Sequence, residues 1–349
     1  MIGIYHLHKQ QMDEACTMWC TEAEKLFDEV KAGNERYKYK DVKTGKTHLY
    51  NKLYDKIDGV SKIILKNFGL SDINHEIAEG FRTDELQRVF TNIRTYLKSD
   101  WNQIQQVASQ YRKNCERTML YYYVNKALKE PFGELYKMMR DRMQDMVFEK
   151  LNIRTCPYCN RQYTFTLVPK TKGEPYTSPE FDHFFPKSQY PTLAISFYNL
   201  VPSCHCCNHG KGAKQLHLNP YDRSFDGHFY VCDNNKNVLD KNQLLNIKDK
   251  AEVYITYQGD WREEEDIRTL GLDQLYAMHS DYVEEVIDRA RAYNNLVNNE
   301  LIDAFQGPFT SSQAVYEFVW GRYLEIPEQE RKPLAKFTKD ILDQVGIKR

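Results

Sequence analysis

Two cysteine pairs and the polar residues between them are the part of this sequence equipped for chemistry. Cys156-Pro157-Tyr158-Cys159 and Cys204-His205-Cys206-Cys207 each set two thiols in Cys-x-x-Cys register, the spacing at which a tight turn aims both sulfurs at one ion. Two such knuckles complete the tetrahedral four-sulfur site that a structural zinc ion takes. Cys206 is a further thiol in the second pair, and a register in which it replaces Cys204 or Cys207 stays open. A redox Cys-x-x-Cys needs a βαβ setting, which the proline-rich flanks do not offer. Forty-four residues separate Cys159 from Cys204, well beyond the roughly 15–20 of a simple zinc ribbon. Something folded must therefore sit between the two halves of the site.

What sits there is Phe181-Asp182-His183-Phe184-Phe185-Pro186-Lys187-Ser188, then Tyr198-Asn199-Leu200, with Asn208 directly after Cys207. Adjacent residues of a β-like stretch project to different sides, so Asp182 can hold a divalent cation while His183 faces a scissile group. Asn208 begins the segment after the second knuckle, expected to be a helix, and zinc would tether that segment so that a second oxygen meets the same ion. Mg²⁺ takes few protein oxygens and keeps waters for phosphate. His183, neutral near pH 7, can take a proton from attacking water. These are the parts of metal-assisted phosphodiester hydrolysis. A lone histidine between phenylalanines would read as a satisfied core residue; this constellation favours the base. Tyr158, Tyr163, Tyr190 and Tyr198 have faces for base stacking, but in a chain with 25 tyrosines packing is the simpler role.

The order Cys-x-x-Cys, Asp-His, Asn, Cys-x-x-Cys-Asn-x-x-Lys resembles the HNH endonucleases. The resemblance implies an α+β chain, mostly helical, with a small ββα-metal module stapled by zinc on Cys156, Cys159, Cys204 and Cys207. It makes Asp182 a ligand of the catalytic Mg²⁺ or Mn²⁺, His183 the general base, Asn199 the residue that holds the loop and orients the histidine, and Asn208 the other ligand. Lys211, with Lys187, would contact phosphate. The family's third letter is commonly His; here Asn208 stands there with His209 one place later, so the identity of the second ligand stays open. The run Asp182 to Pro191, then Asn199-Leu200-Val201-Pro202-Ser203-Cys204 and Asn219-Pro220-Tyr221-Asp222, is similar to the HNH nucleases of bacterial antiviral systems, of the Septu and retron-associated kinds. Those work beside an ABC-type ATPase. The likeness covers about Cys156 to Val231, and the rest of the chain carries no matching motif.

Around this module the sequence implies helices. Residues 1–150 are expected to form a helical region, with stripes at Met12, Cys16, Trp19, Ala23, Leu26 and Val30, at Leu86 to Leu97, and at Ile104 to Met119. A further helix is expected over Lys56–Asn67. Pro131 is expected to interrupt before Leu135, Met139, Met143 and Met146 resume as core filler. Residues 151–240 are expected to form the nuclease module that the resemblance implies, with a β-prone run at Gln162 to Val168, a strand at His228 to Val231 and a turn at Asp233 to Asn235. Residues 241–349 return to helical periodicity.

The whole chain has 349 residues, 41% hydrophobic and 28% charged, with a net charge of −1, which excludes collagen-like and wholly disordered classes. Its charge is uneven. Lys31 to Lys66 holds ten basic against four acidic residues and Arg154 to Lys214 seven against three, whereas Gly259 to Phe305 holds four against twelve. Nucleic acid would therefore be gripped locally, DNA ahead of RNA. No apolar run approaches the ~18 residues of a membrane span, so no membrane partner and a cytoplasmic location are expected. The competing function is a non-catalytic zinc-stabilised module that binds nucleic acid or protein; it leaves the Asp182, His183, Asn199 and Asn208 series unexplained.

Overall fold

The computed structural model describes residues 2–4, 9–31, 36–40, 47–51, 97, 99–115, 119–167, 171, 178–247, 253–293, 300, 303–304, 311–321, 323–325 and 328–347. The helix expected over Lys56–Asn67 and all of the Leu86 to Leu97 stripe except Leu97 lie outside them, as does much of the first basic stretch.

The architecture is α+β. Helices α1 (Lys9–Lys31), α2 (Trp101–Cys115) and α3 (Met119–Leu151) form the N-terminal part, together with an antiparallel pair of strands, β1 (Arg36–Lys40) and β2 (Thr47–Asn51). Of the stripe expected on α1, Met12, Trp19, Ala23 and Leu26 are buried and Cys16 is half-buried, with Ala15 buried beside them; the side chain of Val30 lies outside those described. Helix α3 departs from expectation because it continues across Pro131. Proline removes one intrahelical hydrogen bond. The residues that follow, Phe132, Leu135, Tyr136, Met138 and Met139, are buried, and tertiary packing of such a face outweighs local propensity. Met139 and Met143 are core filler as expected, whereas Met146 is exposed.

The module that follows is loop-rich. Strands β3 (Glu180–His183) and β4 (Leu200–Ser203) pair antiparallel, Asp182 opposite Val201 and His183 opposite Leu200. Two short 3₁₀ turns, Pro191–Ile195 and Phe197–Asn199, connect them, and α4 (His205–Lys211) comes directly afterwards. Helix α4 thus starts inside the second cysteine pair rather than after it. Within Gln162 to Val168 no strand forms among the described residues; Thr155 and Tyr163 make a single antiparallel bridge.

Strand β5 (His228–Cys232) falls where expected and pairs with β6 (Tyr254–Gln258). Asp233 turns the chain by accepting from Asn235 and Asn237 backbone amides. Helices α5 (Lys241–Leu245), α6 (Trp261–Thr269), α7 (Leu272–Ala277), α8 (Ser280–Ala292), α9 (Ser312–Trp320) and α10 (Ala335–Val345) follow among the described residues. Asp240 and Asp260 cap α5 and α6 by accepting from backbone amides of their first turns.

One buried apolar cluster runs from Trp19 and Met139 through Phe181 and Ile195 to Phe229, Val286 and Ile341. The loop-rich module is therefore packed into the rest of the chain. Trp19 meets Phe181 edge to face at 5.7 Å, Phe148 meets the same ring at 4.4 Å, and the Trp19 indole donates to the Ile195 carbonyl at 2.8 Å. No helix among the described residues is long and apolar enough to cross a membrane.

Candidate active site

The first knuckle is a turn closed on itself. The Asn160 amide donates to the Cys156 carbonyl at 2.7 Å and the Cys156 amide to the Gln162 carbonyl at 2.9 Å. Asn160 sits at φ 47°, a left-handed conformation that asparagine tolerates better than most residues. The second knuckle is the first turn of α4. Together they bring one sulfur each from Cys156, Cys159, Cys204 and Cys207 within 4.8 Å of one another, all buried. Cys206 is exposed, which removes the alternative register. Burial pushes the Cys156 thiol well above its ordinary value, while hydrogen bonding from Cys156 and its neighbours pulls Cys159 well below. The Arg161 amide also points at the Cys159 sulfur, 3.4 Å away. Four sulfurs converging in a closed pocket fit zinc, and the cluster can hold it.

That clamp joins α4 to the strand pair and sets the residues between. Asp182 is buried on β3 and has a partner on each oxygen. Tyr158, from inside the first knuckle, donates to Oδ2 at 2.7 Å, and Lys211 donates to Oδ1 at 3.0 Å. Lys211 also reaches the His183 carbonyl at 2.7 Å. Burial raises the Asp182 carboxyl and lowers the Lys211 ammonium, each partly offset by the other's charge. Lys211, expected at phosphate, has its side chain fully buried; from there its ammonium serves the carboxylate and cannot meet a ligand in solvent. The reason is geometric: on the last turn of α4 the side chain runs under β3.

His183, the next residue, faces another way. Its Nε2 lies 3.0 Å from the Ala194 carbonyl, and a carbonyl only accepts, so Nε2 carries the proton and Nδ1 is the basic nitrogen. The Tyr136 ring packs edge-on at 4.4 Å. Burial, reinforced by the charges of Lys187 and Lys211, pushes the imidazole down to about 3, against the pull of the Ala194 hydrogen bond. Asn199, wholly buried, accepts from the Phe185 amide at 2.8 Å and donates to the carbonyls of Phe185 (3.1 Å) and Leu193 (2.9 Å). It staples the loop whose next carbonyl, Ala194, holds His183.

Asn208 projects from α4 towards β3, where its amide donates to Glu180 Oε2 at 2.6 Å. That bond assigns Nδ2 to Glu180 and frees Oδ1 to act as a ligand. Glu180 also accepts from His205 Nδ1 at 2.8 Å. Burial works to raise the Glu180 carboxyl, but the His205 and Asn208 bonds outweigh it and hold it below the ordinary range.

Asp182, His183 and Asn208 share a cavity of about 700 Å³, with Lys187 and, on α3, Tyr136 and Arg140 on its walls. Lys187 lies over the Tyr136 ring at 4.8 Å. Tyr136, Arg140, Glu180 and Tyr158 are the site neighbours that the motif does not announce. Tyr136, Arg140 and Gln144 recur at four-residue steps, so one helical stripe carries all three into the cavity wall. That period is the signal, in a helix whose Met139 and Met143 draw attention to the buried stripe beside it.

The chain is similar to a Septu protein. That protein, PtuB of Bacillus thuringiensis, is 44% identical over 41 residues, which make up 12% of this chain and 16% of the Septu protein. The chain therefore matches about a sixth of PtuB's length. No protein-family model matches the chain. No solved structure matches it either.

Proposed function

We propose that the chain is a metal-dependent HNH endonuclease that hydrolyses nucleic-acid phosphodiester bonds as an effector of bacterial anti-phage defence. One observation carries the reading: a single cavity presents Asp182, His183 and Asn208, and the imidazole is held through Nε2 so that Nδ1 is left to accept a proton. Asp182 and Asn208 are the residues to hold Mg²⁺ or Mn²⁺, which when bound supplies positive charge to the phosphate and the departing oxygen.

The chain's own residues divide the remaining work. His183, neutral through burial, takes the proton of the attacking water. Asn199 keeps the Ala194 carbonyl where it fixes the imidazole. Tyr158 and Lys211 orient the Asp182 carboxylate. Lys187 and Arg140 supply positive charge at the cavity wall for the phosphate backbone, which DNA and RNA share. Zinc on the four cysteines holds geometry. The similarity to a Septu protein supports the defence setting, and by the same resemblance an ABC-type ATPase is the proposed partner, in the cytoplasm.

Full-length protein incubated with plasmid DNA, single-stranded DNA and RNA decides the matter. We expect cleavage that needs millimolar Mg²⁺ and stops in EDTA. His183→Ala should lower the rate by about 10²–10⁴-fold, the usual contribution of a general base, with zinc content unchanged. Cleavage by His183→Ala at the wild-type rate removes His183 from the chemistry. Binding without cleavage, indifferent to Mg²⁺, returns the chain to the class of zinc-stabilised binding modules.

A further inference from the structure

A second group of metal-ligating side chains lies outside the four-cysteine cluster; two of its members, Glu180 and His209, line the same cavity as Asp182. His205 and His209 stand one turn apart on α4, so both leave the same face of the helix, with ring centroids 3.9 Å apart. Glu180 reaches them from β3. One ligand atom from each of the three lies within 4.8 Å of the others. The group is open to solvent: the His205 and Glu180 side chains are 69% and 37% exposed, and His209 is exposed as well.

We propose that Glu180, His205 and His209 form a second metal site, open on one side, that takes a borderline transition ion of the Zn²⁺ or Co²⁺ class. Two imidazoles and a carboxylate select such ions over Mg²⁺ and Ca²⁺, which prefer all-oxygen shells. Zinc binds imidazole nitrogen at about 2.0–2.1 Å, which spaces ligand atoms in a tetrahedral shell about 3.3 Å apart. The ligand atoms lie within 4.8 Å of one another, and the two exposed imidazoles would have to turn to reach that spacing. Three protein ligands leave the remaining position to water, unlike the closed four-sulfur cluster. The elements that carry the ligands are already fixed in place, since Cys204 and Cys207 converge with the first knuckle and Lys211 ties α4 to Asp182 of β3. Glu180 is also pre-set, because its other oxygen accepts the Asn208 amide. This site does not depend on the nuclease reading, as its test counts ions and not cleaved bonds.

The test uses full-length protein with zinc retained on its cysteines and weakly held metal dialysed away. Titration with Co²⁺ should show one further equivalent, with the weak visible bands of nitrogen and oxygen ligands and no sulfur charge-transfer band. Elemental analysis should count one additional ion. His205→Asn and His209→Asn should each lose that equivalent while keeping the cysteine-bound zinc, and millimolar Mg²⁺ should fail to displace it. The variants change exposed side chains, so folding is not at risk, and circular dichroism checks it. No further equivalent in the wild type overturns the proposal. So does an added ion that survives both substitutions or yields to Mg²⁺, which would place it on Asp182 and Asn208.

Discussion

Tyr158 shows how much of the site rests on single hydrogen bonds. Its phenol is buried between the two halves of the metal clamp and gives Asp182 its Oδ2 donor. Tyr158→Phe keeps the packing and strands one carboxylate oxygen, a change that costs about 1–3 kcal/mol at a buried polar group; the urea midpoint should fall with its slope unchanged. Lys211→Met should cost more, about 3–5 kcal/mol, because it leaves a buried carboxylate without its counter-charge. A Lys211 that merely touched phosphate would weaken substrate binding and leave stability alone, so the two roles separate on a denaturation curve. His183 gives a pH signature. Its value is lowered to about 3, so the neutral form, the one able to accept a proton, persists far below the ordinary histidine range. The acid limb of kcat/KM, which reports the free enzyme, should therefore fall well below pH 6.5. An acid limb at the ordinary value near 6.5 would show that His183 is either solvated or not the base.

At the level of elements, the knuckles, the strand pair and α4 act as one unit, and the chain after α4 is tied down from elsewhere. Asp266, on α6, accepts from the backbone amides of His217 at 2.8 Å and Leu218 at 2.9 Å. Burial pushes its carboxyl up to about 6 in spite of those bonds. A carboxyl raised on folding contributes stability that is complete below its unfolded value near 4 and is lost as pH rises through about 6. Between pH 4 and 7 the wild type should therefore lose about 1–3 kcal/mol relative to Asp266→Asn, read from paired urea midpoints; parallel curves would refute the raised value. Sequence spacing exposed the parts of this unit that obey local rules. Cys-x-x-Cys must turn, Asp182 and His183 must diverge on a strand, and Asn199 before β4 belongs to a loop. It could not show that α4 begins at His205, nor that Lys211 points inward, because both depend on where β3 lies relative to the helix. Pro131 misled for the converse reason: the local signal for a break is strong, and the buried face of α3 overrides it.

Across the whole molecule, the loop that holds the base is itself held by the N-terminal helices. The Trp19 indole donates to Ile195, whose preceding residue, Ala194, accepts from His183, and α3 lays Tyr136 against the imidazole. None of this is visible in the motif, since α1 and α3 lie well before the first cysteine and their apolar stripes announce only a core. The consequence is a long-range dependence that residues 151–240 by themselves could not supply. Trp19→Phe keeps an aromatic ring against Phe181 but withdraws the indole donor, leaving the Ile195 carbonyl unpaired in a buried position, at about 1–3 kcal/mol. If the loop only fills space, the protein loses that stability and cleavage at saturating Mg²⁺ is unchanged. If the loop sets the imidazole, kcat should fall about tenfold or more while KM and zinc content hold, because even small misplacement of a catalytic group is costly. Comparing Trp19→Phe with a core substitution of similar cost far from the loop, such as Ile341→Ala on α10 at about 2–5 kcal/mol, separates the two: equal rates would detach α1 from the chemistry, and a selective fall in kcat would join it.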